Sequence, residues 1–229
     1  MGIRYLNKYL LSKCKRKSIE KKFISSLQDK FVVIDTSIYM YKYKSHQLLH
    51  ESFYSMIHLF HKYNITPLFI FDGKPPLEKK DELTRRQEEK RNAELQFNIL
   101  NDELEQIQNE KERASLLLQM DKLKQQFIRV SEKDVNSIKE IMNAFGVQYY
   151  DAIGEADKIC GLITTHKRCY ACISDDMDMF IYGCKRIIRN FNIENETFLE
   201  YNLNSILDDI DMSFTLFKQV VLLSGTDYN

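Results

Sequence analysis

Three short apolar runs in this chain finish in carboxylates. They are Phe31–Asp35 (FVVID), Leu68–Asp72 (LFIFD) and Cys169–Ile173 (CYACI), the last followed at once by Ser174-Asp175-Asp176-Met177-Asp178. Unbroken apolar runs without alternation suit strands buried on both faces, the pattern of a parallel sheet covered by helices. In open sheets of that kind the functional crevice lies beyond the carboxyl ends of the strands, so Asp35, Asp72, Asp176 and Asp178 are expected along one rim. A single Asp at a strand end is ordinarily a helix cap or loop residue. Three strands ending alike are harder to explain that way.

The intervening segments supply the helices such a sheet needs. Thr36 to Tyr63 carries Ile38, Tyr41, Leu48, Phe53, Met56, Ile57 and Phe60, a helical pattern with a break near Ser45 to Gln47. It makes the first two strands parallel neighbours joined by a crossover. Ser131-Glu132-Lys133-Asp134 reads as a capping box before the stripe Val135, Ile138, Ile141, Met142 and Phe145, which Gly146 stops. A strand is expected at Val147 to Tyr150 and a helix opened by Gly154-Glu155-Ala156-Asp157. Strands at Ile187 to Phe191 and Thr197 to Tyr201 and helices from near Asn202 and over Ser213 to Leu223 complete the alternation. The expectation is one α/β domain over residues 1–229, with a mixed, mainly parallel central sheet and helices on both faces.

One stretch does not fit inside such a body. Gly73-Lys74-Pro75-Pro76 breaks the chain, and from Leu77 to about Phe127 there is no Gly or Pro while charged residues and Gln dominate. At about 1.5 Å rise per residue this helical length must project or fold back. Two or more helices with a turn near Asn98 to Asp102 are predicted, forming an insertion at about 77–130. A solvated hairpin or a coiled-coil partner surface is the plain reading; an arch over the rim is the functional one.

The formal net charge is zero, but it is segregated. Residues 1–30 hold nine bases against Glu20 and Asp29, whereas from Asn192 onward seven acids face Lys218 alone. A polyanion would meet the first region and avoid the second. Within the first region an amphipathic helix over Met1 to Leu11 leads into Lys13–Lys17 (KCKRK), a solvated helix end that also resembles a nuclear-import signal. Hydrophobic residues make up 44%, with only 3 Pro and 7 Gly, which argues against disorder. The odd set Cys14, Cys160, Cys169, Cys172 and Cys184 favours a reducing, intracellular compartment, and Cys169 with Cys172 reads as small buried side chains rather than half a zinc site. No apolar run approaches the roughly 20 residues of a membrane span, and the N-terminus lacks a signal-peptide core.

Carboxylates this dense repel one another unless they share protons or hold cations, and Asp and Glu with little His or Cys nearby suit Mg2+ or Mn2+. A pair of ions about 3.5–4 Å apart would serve phosphodiester hydrolysis, and a single Mg2+ a phosphatase or kinase-like reaction. Spacing leaves both open. Glu155 and Asp157, two apart, do not share a helical face, so they either serve different metals or use the irregular first turn.

The stretches MGI at the start, VVIDTSIYMY around Asp35, FIFDGKPPLEKKDELTRR around Asp72, GEAD at 154–157, SDDMD at 174–178 and LLSGTDYN at the end together resemble the structure-specific flap endonucleases. The similarity runs through almost the whole chain in the family's order. It implies a PIN-like 5′ nuclease fold with a helical arch. The implied activity is a monomeric 5′ nuclease that cuts DNA at 5′ flaps and 5′ ends with two Mg2+ ions, at intracellular sites of replication and repair. The implied metal ligands are Asp35, Asp72, Glu155, Asp157, Asp176, Asp178 and Asp227. Lys79 and Arg86, seven and fourteen residues after Asp72, match the catalytic cations at the base of the arch. Tyr41 matches an aromatic on which a base stacks, and Gly2 the small residue packed beside the DNA junction.

The chain also departs from the pattern. Asp157 stands where cellular members usually carry Glu, and Asp175 where Glu is common. The family continues past the position of Asp227 into a helix-two-turn-helix element that grips duplex with a potassium ion, and often into a tail that binds the sliding clamp. The sequence stops two residues after Asp227, which puts duplex anchoring and clamp binding in question. A related 5′-to-3′ exonuclease or PIN-type ribonuclease shares the same carboxylates, and a non-catalytic DNA-binding protein is the rival from another class.

Overall fold

The computed structural model describes residues 3, 5–104, 109–166 and 169–225. Helix α1 (Leu6–Lys13) and strand β1 (Ile19–Phe23) lead into β2 (Phe31–Asp35), α2 (Thr36–Ser45), α3 (Leu49–Lys62) and β3 (Thr66–Phe71). After α4 (Lys80–Leu104) and α5 (Glu110–Gln126) come α6 (Glu132–Ala144), β4 (Gln148–Asp151), α7 (Ala156–His166) and β5 (Ala171–Ile173). The chain continues through β6 (Arg186–Asn192), β7 (Thr197–Asn202), α8 (Leu203–Asp209) and α9 (Phe214–Leu223).

The seven strands form one sheet in the order β1-β7-β6-β5-β2-β3-β4. Strands β6, β5, β2, β3 and β4 run parallel, and β7 lies antiparallel between β6 and β1. The unbroken apolar run of β2 is explained by its central place. Val32 and Ile34 face a core completed by Met40 of α2, Phe53 and Phe60 of α3 and Met142 of α6. Val33, on the other face, meets Leu10 of α1, Cys160 of α7, Ile206 of α8 and Phe217 of α9. Each such side chain contributes about 1.5–3 kcal/mol when removed from water, so any shift of register would turn both sets the wrong way.

The break in the α2–α3 segment and the capping box are where the residues predict them. The Asp134 amide donates to Ser131 Oγ (3.3 Å), and the Ser131 amide donates to Asp134 Oδ2 (2.6 Å). Two expectations change. Strand β1 has no apolar pattern to announce it, because IEKKF is an edge strand defined by its ladder with β7. Asn98 to Asp102, where the turn of the long charged segment is expected, lies inside α4. Helix continues through Asn98 because α4 packs along α5, and Phe97 meets Phe127 edge-on at 5.5 Å. Along this arm burial is sparse, with Ala93 the buried residue of α4 and Met120 that of α5 among the described residues. No helix among them is long and apolar enough to cross a membrane.

Candidate active site

The carboxyl ends of β2, β3 and β5 meet at one rim, and a chain of hydrogen bonds fixes half of it. Asp35 ends β2 almost fully buried and accepts from Ser174 Oγ, 2.9 Å away, just past β5. Ser174 Oγ accepts the Asp176 amide (3.1 Å), and the Asp176 carboxylate accepts the Asp178 amide (2.9 Å), capping the short 3-10 turn Met177–Phe180. Thus the SDDMD run carries Asp176 at the mouth and Asp178, also buried, one step behind it.

Asp72 lies exposed just past β3 and brings the other half into place. Its Oδ1 accepts the Ala156 amide at 2.7 Å, at the amino end of α7, where the helix dipole favours an anion. Next to it the Gly73 amide donates to the Gly154 carbonyl (2.7 Å) and the Lys74 amide to the Ile153 carbonyl (3.2 Å). A Cβ on Gly73 would stand 2.0 Å from the Ala152 carbonyl oxygen, so no other residue permits this approach. The two loops are therefore laced together, delivering Glu155 and Asp157 to the rim.

The electrostatics show which carboxylates sense one another. Burial pushes the Asp35 carboxyl up to about 8, and the charges of Asp72 and Asp176 push the same way against the hydrogen bond from Ser174. Asp157 is pushed up to about 9 by burial, then by Asp35, Asp176 and Asp72, with Lys79 opposing. Asp35, Asp72, Asp157 and Asp176 thus form one mutually repelling group. Among the described residues no three such side chains already close on a single point to grasp an ion. The donor set is nonetheless all oxygen and doubly strained by burial and like charge, which fits a hard divalent cation.

Cations approach this rim from the base of the arm. Lys79, ending a 3-10 turn before α4, sets its Nζ 2.5 Å from Glu155 Oε1, the two side chains being 11% and 12% exposed. Arg86 Nε bonds Glu82 Oε1 at 2.7 Å. Tyr41 of α2 is 41% exposed, and its phenol is pushed up by burial and then by Asp72, with Arg86 pulling it down, so the ring sits between rim and arm. Lys90 was not foreseen; its Nζ lies 4.9 Å from the centre of the Tyr41 ring. Its spacing of four from Arg86 puts both on one helical face, a signal the sequence did hold. Ser174 was also missed, as a neutral residue inside an acidic run. Gly2 and Asp227 lie outside the described residues.

Comparison with known proteins fits this arrangement. Residues 1–93 match the XPG N-terminal domain and residues 146–227 the XPG I-region, leaving the outer part of the arm and α6 between them. The chain belongs to the XPG family. It is 29% identical over 248 residues to flap endonuclease 1 of Entamoeba dispar, covering 100% of this chain and 62% of that one. To flap endonuclease 1 of Methanococcus aeolicus it is 28% identical over 231 residues, 93% of this chain and 67% of the relative. In fold it resembles the catalytic core of Rad2 in complex with DNA substrate, with a TM-score of 0.73, 20% identity, and 100% of this chain matched to 63% of that one. Flap endonuclease-1 from Methanococcus jannaschii follows the same fold, with a TM-score of 0.63, 24% identity, and 100% and 71% covered. This XPG-family chain therefore spans about six-tenths of the length of the first relatives it matches. Metal dependence is a property of the family; the structure of GEN1 with product DNA holds Mg2+ and Mn2+ ions.

Proposed function

We propose that this chain is the catalytic core of a metal-dependent, structure-specific 5′ nuclease that hydrolyses DNA phosphodiesters at 5′ flaps and 5′ ends. The observation that carries this reading is the pile-up of charge at the rim, where Asp35 and Asp157 are each raised by burial and by the other carboxylates around them. Folding places that repulsion opposite a set of cations, and a phosphodiester with its ions is the ligand that satisfies both. The names and DNA-bound states of the relatives support the same substrate.

Asp35, Asp72, Glu155, Asp157, Asp176 and Asp178 would hold the ions, two Mg2+ for which Mn2+ can substitute, with Asp227 assigned by resemblance. When bound, such ions supply Lewis acidity toward water and the phosphodiester oxygens. Ser174 orients Asp35 and Asp176 through the hydrogen bonds already described. Lys79, leaving Glu155, and Arg86, leaving Glu82, steady the scissile phosphate and the charge that develops on it. Tyr41 offers its face to a base once Lys90 moves aside, a contact worth about 1–3 kcal/mol. Gly2 completes the junction side by resemblance. In the cell the protein would act as a monomer at sites of DNA replication.

A 5′-end-labelled DNA flap incubated with Mg2+ tests this directly. Wild type is expected to cut near the junction and Asp176→Ala to lose the activity. Equal cleavage by both, or none by wild type with Mg2+ or Mn2+, overturns the reading, while cutting of the RNA flap in preference to DNA moves the chain to a ribonuclease.

A further inference from the structure

We propose that the basic edge formed by the end of α1, the turn that follows and β1 is a second nucleic-acid contact, which holds the phosphodiester backbone of the duplex flanking the cut. The inference rests on the nuclease reading for its substrate, but its own support is separate.

Among the described bases of residues 1–30, Lys8 and Lys13 on α1, Lys15, Arg16 and Lys17 in the turn, and Lys21 on β1, the outermost strand, are all exposed. Among the described residues Lys13, Arg16, Lys17 and Lys21 make no ion pair. Lys15 reaches Asp209 at 3.6 Å while remaining 83% exposed. Glu20 and Glu200 both pair with Lys22, so it is the cations outside these pairs that repel one another, and a polyanion is the partner that relieves them.

The register sets this edge at the height of the carboxylates. Lys21 pairs with Leu199, and Leu199 with Arg189; one residue earlier, Ile188 pairs with Ile173. Lys21 is therefore level with Ser174, the residue that orients Asp35 and Asp176. Three strand spacings of about 4.8 Å separate β1 from β5, roughly 14 Å. That is close to the ~12 Å width of a DNA major groove, so one duplex can meet both. An acidic protein or an anionic membrane would match the charge but has no reason to be aligned with the rim.

The arm cannot supply this grip. From Glu94 to Gln126 it carries seven acids against four bases, so its outer part is no attraction for phosphate. The basic edge is the counterpart the arm lacks.

The test uses the full chain, a 5′-flap duplex in EDTA and fluorescence anisotropy between about 50 and 200 mM KCl. Each lost phosphate contact lowers the salt slope of log K by about 0.9, so R16Q/K17Q/K21Q should lose about 2–3 in slope, with about 10-fold or more weaker binding. Circular dichroism melting should match wild type, because the three side chains are solvated. The arm variant K111Q/R113Q/K122Q should keep the wild-type slope. An unchanged slope in R16Q/K17Q/K21Q overturns the proposal, as does a loss of binding confined to anionic vesicles. Wild type that binds DNA with the full slope yet never cleaves would break the nuclease reading and leave this edge standing; cleavage with an unchanged slope does the reverse.

Discussion

The carboxylate rim and the base of the arm face each other with opposite charge and are built by opposite means. At the rim, short side chains are delivered by strand ends whose register is locked by buried neighbours, and Asp35 has no freedom to retreat. At the base, long cations stand on the 3-10 turn and on the α4 helix that follows it, each already held by an acid, Lys79 by Glu155 and Arg86 by Glu82. The rim stores repulsion; the base stores exchangeable ion pairs. Chemistry that needs fixed metal ligands belongs to the first, and the steps that admit and seize a phosphate belong to the second.

The contrast breaks first at the base. Lys79→Ala and Arg86→Ala should each slow single-turnover cleavage by about 10²–10³-fold, the loss expected when one preorganised electrostatic donor is removed. Thermal melting of the Arg86 variant should barely move, since the Arg86 side chain is 39% exposed and Glu82 keeps Arg85 as a partner. A small effect on rate would mean that the arm is a passive cover.

Next comes the stored repulsion. Asp35 is raised to about 8 in the folded chain from an ordinary 3.8, so between those values the folded protein keeps a proton that the unfolded chain has lost. Stability must then fall as pH rises through that window, and Asp157, raised to about 9, extends the decline. In EDTA, Asp35→Asn should flatten the fall of melting temperature between pH 5 and 9 (about two decades either side of neutrality). Added Mg2+ should stabilise wild type more than the variant. A wild-type melting temperature flat over this range would show that the rim carries no such strain.

The smallest effect lies away from both, at the capping box of α6, where the sign reverses. Although partial burial would raise it, hydrogen bonds from Lys44 and Ser131 hold Asp134 down at about 2. Its contribution is present above pH 4 or so and is lost as pH falls through about 2. Ser131→Ala should cost about 1 kcal/mol in urea unfolding at neutral pH, with the difference from wild type shrinking toward pH 2 as Asp134 takes up its proton.

How far the sequence could be read depended on the range of the forces involved. β2, β3 and β5 were legible because burial on both faces leaves an unbroken apolar run, and the rim followed because two of the runs end in Asp and the third leads through Ser174 into Asp175 and Asp176. The capping box was legible because Ser131 and Asp134 are three residues apart and act within one turn. β1 was hidden, since an edge strand of Lys and Glu is made by its partner and not by its own pattern. α4 runs on through the turn expected near Asn98 to Asp102 because its packing along α5, with Phe97 on Phe127, outweighs the local turn preference of Asn98 and Asp102.

By itself, then, the sequence determined the alternation of strands and helices, the carboxylates at their ends and the segregation of charge, all set by periodicity and neighbours along the chain. Only the tertiary structure decided that Gly73 laces Asp72 to the start of α7, that Lys79 lies on Glu155 and Lys90 over Tyr41, and that the basic edge stands level with the rim. Those outcomes depend on strand order, burial and fields acting between residues far apart in sequence, and such forces leave no local pattern to read.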